Sequence, residues 1–155
     1  MRIFLPSTFP ALAAVLADGE VRGAPLTAYA VSGAPAAGAD DEELEYQALR
    51  AAADASLRLV AGDPGAPRRR AVIAAEMPEA AVETAPGAAT GPGPVTVTGT
   101  VPLKRVASIH VDDPDAADDI AAALADPGAG HEDDHELLWY ATQELPYLLE
   151  PQDAR

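Results

Sequence analysis

The chain has 155 residues, a formal net charge of −15 at pH 7 and no cysteine. This length suits one domain with a single core, and the lack of cysteine excludes disulfides, thiolate catalysis and cysteine-based metal sites. The negative charge disfavours binding to nucleic acids and anionic membranes, and no stretch has the roughly 20 apolar residues that span a bilayer. We therefore expect a soluble cytoplasmic protein that binds neither nucleic acid nor membrane.

The first residues superficially resemble a signal peptide, because residues 1–5 and 11–17 are mostly apolar. Residues 6–10 interrupt them with two prolines, and Arg2 is the one basic residue of this stretch. We therefore expect these residues to belong to the folded protein.

The first half of the chain alternates strand and helix signals. Residues 2–5 have the composition of a strand, and the residues after them predict a capped helix that ends before Gly19. Residues 26–32 predict a second strand. A long helix is expected over residues 40–62, because carboxylates begin it and an alanine and leucine stripe follows.

The second half begins with a strand predicted over residues 68–75. Residues 79–94 are dominated by Ala, Gly, Pro and Thr and predict a flexible surface loop, with at most a short edge strand at 81–84. Residues 95–101 alternate valine with threonine and glycine, which predicts a half-exposed strand, and residues 106–111 predict another.

Two helices are predicted towards the end of the chain. Asp113 followed by Pro114 is typical of a helix start. Residues 128–134 form a small acidic linker, and residues 135–149 predict the final helix, which Pro146 kinks or ends.

These elements predict a single α/β domain over residues 1–150, with a frayed tail at 151–155. The alternation of strands and helices favours a mixed, mostly parallel sheet of about five strands flanked by helices. A ferredoxin-like α+β arrangement is the alternative.

The predicted final helix contains the single tryptophan of the chain. Helical spacing separates a leucine side from an aromatic and polar side. We expect Trp139 to pack in the core and the other side to bind a protein partner or a second copy of the chain, because tyrosine is enriched at interfaces. This predicted interaction face consists of Tyr140, Gln143, Glu144 and Tyr147.

A small-ligand binder or hydrolase-like enzyme is the competing hypothesis. Open α/β sheets place ligand sites at the carboxyl ends of their strands, where carboxylates and a histidine support hard-cation or acid–base chemistry. The polar residues at such positions are Ser7, Thr8, Glu76, His110 and Asp112. The structural alternative is that they cap helices and satisfy loops, and no catalytic residue is assigned.

Residues His131, Glu132 and His135 match the H-E-x-x-H pattern of zinc proteases. The surroundings are acidic and glycine-rich, and no histidine follows as a third ligand. We interpret the match as chance and the stretch as an acidic helix start, so no metal or cofactor is predicted.

Half of the ten basic residues lie in two short groups, residues 68–70 and 104–105. Each group precedes a predicted strand, so parallel neighbouring strands would place both on one rim as an anion site. The alternative is that they offset nearby carboxylates.

Three stretches resemble a family of small uncharacterised proteins from high-GC actinobacteria, with the similarity extending over essentially the whole chain. They are residues 1–8, residues 41–46 and, most distinctively, residues 134–144. The resemblance implies a cytoplasmic actinobacterial protein, and it implies no activity.

Overall fold

The computed structural model describes residues 1–23, 25–33, 38, 40–84, 90–126 and 135–150. The strands are β1 (Arg2–Ser7), β2 (Glu20–Val21), β3 (Leu26–Ser32), β4 (Ala71–Glu76), β5 (Val82–Thr84), β6 (Gly91–Val97), β7 (Val101–Pro102), β8 (Val106–Val111) and β9 (Leu138–Ala141). The α-helices are α1 (Phe9–Asp18), α2 (Asp41–Ala61), α3 (Ala117–Ala125) and α4 (Leu145–Leu148).

Seven strands form one sheet in the order β5-β6-β3-β1-β4-β8-β9, and β2 pairs with β7 in a separate sheet. All strand pairs among the described residues are antiparallel. The predicted α/β class with a mostly parallel sheet of five strands is therefore wrong.

The connections between the strands explain this error. After α1 the chain first forms β2, which pairs outside the main sheet, and then enters β3 antiparallel to β1. β3 and β4 do run in the same direction, as a helical crossover through α2 requires, but β1 lies between them. This is one split β-α-β unit. The ferredoxin-like alternative needs a second one. Here the segments that contain α1 and α3 instead lie between strands that pair directly, β1 with β3 and β8 with β9.

The main sheet has apolar side chains on both faces, because strand residues alternate in direction. On the α1 face, Leu12 and Val15 of α1 and Leu145 and Leu148 of α4 join the sheet's buried apolar cluster. On the α2 face, alanines of α2 pack against the sheet. The sheet residues of the first face include Ile3, Leu5, Ile73 and Ile109, and those of the second include Phe4, Val72 and Ala74.

Several local predictions are confirmed. The Thr8 hydroxyl accepts from the Ala11 N–H at the start of α1, which ends at Gly19 with a φ of 76°. The predicted carboxylates lie at the start of α2: Asp41, Glu42 and Glu43 are in its first turn, after the N-cap residue Asp40. β3 has the predicted bounds.

The flexible loop predicted over residues 79–94 is corrected at both of its ends. A 3-10 turn at Glu79–Ala81 leads into β5, the expected short edge strand. Gly91 already begins β6, which pairs with β3 along its length. Glycine and proline lower the intrinsic tendency of a segment to form a strand. Here the segment becomes a strand because it pairs with β3. Residues 85–89 lie outside the described residues.

The predicted final helix over residues 135–149 is also corrected. Its first part is the strand β9, followed by a 3-10 turn at Thr142–Glu144 and the short helix α4. Pro146 lies in the first turn of α4, where its missing N–H has no helical partner to lose. It therefore marks the start of a helix. The linker before residue 135 and the tail at 151–155 lie outside the described residues.

Candidate functional site

β9 forms one edge of the main sheet and pairs with β8. Trp139 lies opposite His110, and Tyr140 lies opposite Ile109. Directly opposite residues share a face, so Trp139 is on the α2 face, while Tyr140 packs against the apolar cluster of the α1 face. In the strand, Trp139 and Tyr140 therefore lie on opposite faces of the sheet.

Trp139 is 61% exposed, and Leu138 beside it is 37% exposed. The main contacts of α2 with the sheet are with β1, β3, β4 and β6, so the helix leaves this edge open. The prediction that Trp139 fills the core is wrong. Tyr140 is partly buried, whereas Gln143, Glu144 and Tyr147 are exposed, with Tyr147 at 63%.

The backbone of β9 is also open at Trp139. The Ala141 N–H points away from β8 and donates to the Glu144 carboxylate at 2.9 Å. Backbone direction repeats every second residue in an antiparallel strand, so the N–H and C=O of Trp139 also point outward. Glu144 therefore closes one end of the edge and leaves Trp139 free to pair with a further strand.

The edge is held firmly where the chain enters it. The Arg70 guanidinium donates to the His135 carbonyl at 3.3 Å, and the His135 ring lies 2.6 Å from an Asp119 oxygen on α3. The Tyr46 hydroxyl of α2 donates to Glu136 at 2.8 Å. The chain is therefore tied to the sheet and to two helices before β9 begins.

The end of the edge is fixed as well. The Thr142 hydroxyl donates to the Val106 carbonyl at 2.8 Å. Leu145 and Leu148 of α4 are buried in the α1 face. The exposed strand is consequently a preorganised surface, which lowers the entropic cost of binding.

The residues of the competing ligand site do not all meet. Ser7 and Thr8 at the end of β1 and Asp112 after β8 lie at one end of the sheet, because both strands are antiparallel to β4. Glu76 lies at the opposite end, where it bonds to Arg2. His110 lies within β8, opposite Val72 on the α2 face.

Asp112 is fully buried, and Arg70 is only 2% exposed. The Asp112 carboxylate accepts from Arg70 Nε and Nη2, each at 2.9 Å, and from the Arg70 backbone N–H at 2.8 Å. The two charged groups form a bidentate pair that satisfies both carboxylate oxygens. Asp112 therefore holds β4 and β8 together and is closed to a ligand.

The neighbouring polar groups at this end are also satisfied internally. The buried Ser56 hydroxyl of α2 donates to the Ser7 carbonyl at 2.7 Å and accepts from the Ala71 N–H at 2.9 Å. It joins α2 to β1 and β4. Thr8 is used as the cap of α1. We use the name buried rim for the five residues Ser7, Ser56, Arg70, Ala71 and Asp112.

The two basic groups lie at opposite ends of the sheet. Because β8 is antiparallel to β4, Lys104 and Arg105 precede β8 at the end away from residues 68–70. A joint rim of five basic residues is therefore not formed. Within the first group, Arg68 donates to carbonyls at the end of α2.

His110 has the clearest perturbed acid–base behaviour in the middle of the sheet. Its Nε2 lies 2.9 Å from the Ser108 hydroxyl. Burial, followed by the positive charge of Arg2, lowers the pKa of His110 below its ordinary value. The neutral ring is therefore favoured in the folded protein.

The H-E-x-x-H match is only partly visible. His131 and Glu132 lie outside the described residues, and His135 contacts Asp119. Among the described residues, no group of three or more histidine, aspartate or glutamate side chains is placed to hold a metal ion.

Residues 1–149 match the model of a family of unknown function (DUF6912). The chain belongs to this family. The match covers the main sheet, the buried rim and the exposed edge, so all three lie within the family's shared region. It assigns no activity to any of them.

No curated protein and no solved structure matches the chain. Within the described part of this family member, no helix is long and apolar enough to cross a membrane.

Two features of this family member were missed by sequence reasoning. The strand that carries the exposed Trp139 had one signal, since tryptophan and tyrosine are enriched in strands. The Arg70–Asp112 pair had none, because the two residues are 42 positions apart in the chain.

Proposed function

We propose that the protein binds a basic, extended segment of a partner protein along the β9 edge, with Trp139 as the anchor. The observation that carries the proposal is the exposure of Trp139 on a strand that is tied down at both of its ends. In β-strand addition, a peptide bonds to an open edge and places alternate side chains on its faces. Trp139 offers both the backbone groups and an apolar side chain.

The charge of the chain argues for the kind of partner. Two copies, each with a formal net charge of −15, repel one another on approach, whereas a basic segment is attracted. The acidic side chain of Glu136 is exposed just before the strand. We therefore favour a heterologous basic segment over self-association, and a non-enzymatic role in the cytoplasm of an actinobacterium completes the proposal.

The single tryptophan makes the test direct. Trp139 emission is recorded while a short peptide of alternating lysine and valine is added, and a glutamate–valine peptide serves as the charge control. We expect a saturable blue shift with the basic peptide alone, because strand addition removes water from the indole. A shift with both peptides, or with neither, contradicts the proposal.

Two variants distinguish binding at Trp139 from nonspecific hydrophobic binding. The affinity is measured by fluorescence anisotropy of a labelled basic peptide. Trp139→Ser should weaken binding by about 30-fold, which corresponds to a hot-spot loss of about 2 kcal/mol. Leu59→Ser is the matched control, since Leu59 is 47% exposed near the other end of α2. Equal affinities of the two variants would remove Trp139 from the interface.

Self-association is the outcome that would redirect the proposal. If Trp139 emission shifts with protein concentration alone, and the elution volume changes with it, a second copy covers the edge and the heterologous proposal fails. A constant emission spectrum over the same concentration range is the expected result.

A further inference from the structure

Arg69 is the member of the first basic group whose side chain lines an open cavity. Arg70 pairs with Asp112, and Arg68 binds carbonyls. Arg69 donates its Nε to the Asp112 carbonyl at 2.9 Å, and its guanidinium carbon lies 4.3 Å from the centre of the Phe9 ring. It forms no ion pair with any described residue, although the chain carries 25 carboxylate side chains.

The half-buried guanidinium lies in the wall of an open cavity of about 460 Å³. This volume falls within the range of small-molecule sites. Among the described residues, Glu150 is the other charged residue of the lining. The rest of the described lining is apolar and comes from α1, the end of α4 and the turn before β4: Phe9, Pro10, Ala13, Pro67, Leu148 and Leu149.

We propose that this cavity binds a small monocarboxylic acid with an apolar body, whose carboxylate pairs with Arg69. The Nε bond and the Phe9 ring fix the guanidinium plane, so its terminal nitrogens are oriented to donate to one carboxylate. The apolar lining takes the rest of the molecule. Glu150 repels a second negative charge, which selects a monoanion over a polyanion.

The surroundings of Arg69 support an anion rather than a neutral ligand. Burial disfavours the charged guanidinium and lowers the pKa of Arg69 from its ordinary value, and the nearby Tyr140, Asp112 and Asp113 act in the opposite direction. A bound carboxylate would offset this loss of hydration. The first turn of α1 borders the same cavity, and the positive end of its dipole has the matching sign.

The probe is octanoate, with octanamide as an uncharged molecule of the same shape. Binding is followed by amide chemical shifts on the full chain. We expect saturable shifts for octanoate, confined to residues around Phe9, Ala13, Arg69 and Leu149, and binding of octanamide weaker by about tenfold. Equal binding of the two probes, or octanoate shifts spread over the surface, would overturn the site.

Variants test the residue assignment. Arg69→Gln should lose about tenfold in octanoate affinity, whereas Arg105→Gln, the same charge change at the far end of the sheet, should lose none. Ala13→Trp fills the cavity from an exposed position of α1 and leaves Arg69 in place, so it should abolish binding without unfolding the protein. If octanoate binds this variant as tightly as the original chain, the cavity is not the site.

The proposal for this cavity and the proposal for the β9 edge can be tested independently. Trp139→Ser should leave octanoate binding unchanged, and Ala13→Trp should leave binding of the basic peptide unchanged.

Discussion

The buried rim and the β9 edge lie close together but differ in the exposure of their side chains. At the rim, the charged groups of Arg70 and Asp112 are removed from water and given hydrogen-bond partners within the chain. At the edge, Trp139 keeps more than half of its surface in water. A buried polar group with hydrogen-bond partners holds strands in place. An exposed aromatic side chain on a fixed strand is unfavourably hydrated, and binding of a partner removes that unfavourable free energy.

We expect the largest effect from a substitution of Asp112 in the buried rim. Asp112→Ala removes the carboxylate that forms the bidentate pair with the buried Arg70 guanidinium, which should lower the free energy of unfolding by about 3–5 kcal/mol. Urea denaturation followed by far-UV circular dichroism measures the change. Asp115→Ala is the control, because it removes the same charge from an exposed position and should change stability by less than about 0.5 kcal/mol.

A paired substitution sharpens this result. If the loss comes from breaking a buried charge pair on one side only, Arg70→Met combined with Asp112→Leu should be more stable than Asp112→Ala alone. A double variant that is less stable than the single one would show that the hydrogen bonds of the pair matter more than its charge.

Ser56 gives the next largest effect. Ser56→Ala removes the hydroxyl that connects the Ser7 carbonyl with the Ala71 N–H, so each of these buried groups loses a hydrogen-bond partner. We expect a loss of about 1–3 kcal/mol in the free energy of unfolding, measured by the same denaturation. Ser32→Ala, at the less buried end of β3, should cost much less. Similar losses for the two would contradict the role given to Ser56.

His110 lies in β8, between β4 and β9, and gives the smallest effect. Its folded pKa lies below the ordinary value of 6.5, so the unfolded chain binds the proton first as the pH falls. The contribution of His110 to stability is thus fully present above about pH 6.5 and decreases as the pH falls towards the lowered folded value.

Thermal unfolding at about pH 7.5 and about pH 5.5 measures this dependence. The melting temperature of His110→Gln should fall less between the two values than that of the unsubstituted chain. Equal falls would show that His110 does not contribute to the acid sensitivity of the fold.

Signals between near neighbours in the chain predicted the elements well. The carboxylates at its start indicated where α2 begins, because a helix end depends on groups within one turn. The same holds for α1 and its Thr8 cap. Most strand positions were also predicted, although their neighbours in the sheet were not.

The candidate site was predicted only in part. The exposure of Gln143, Glu144 and Tyr147 follows from their polar or amphipathic side chains. We predicted Trp139 in the core because exposing a large apolar side chain to water is unfavourable. Its observed position depends on which strands of the sheet α2 packs against. Pairing with β8 overrides the helical spacing of this stretch.

By itself, the order of the amino acids determined the acidic surface, the lack of thiol chemistry and the places where most helices and strands begin and end. These properties depend on composition or on residues a few positions apart. Only the tertiary structure decided that β1 lies between β3 and β4, that Arg70 meets Asp112, and that Trp139 lies on an open edge. Such contacts join distant parts of the chain, and the packing of the whole sheet selects them.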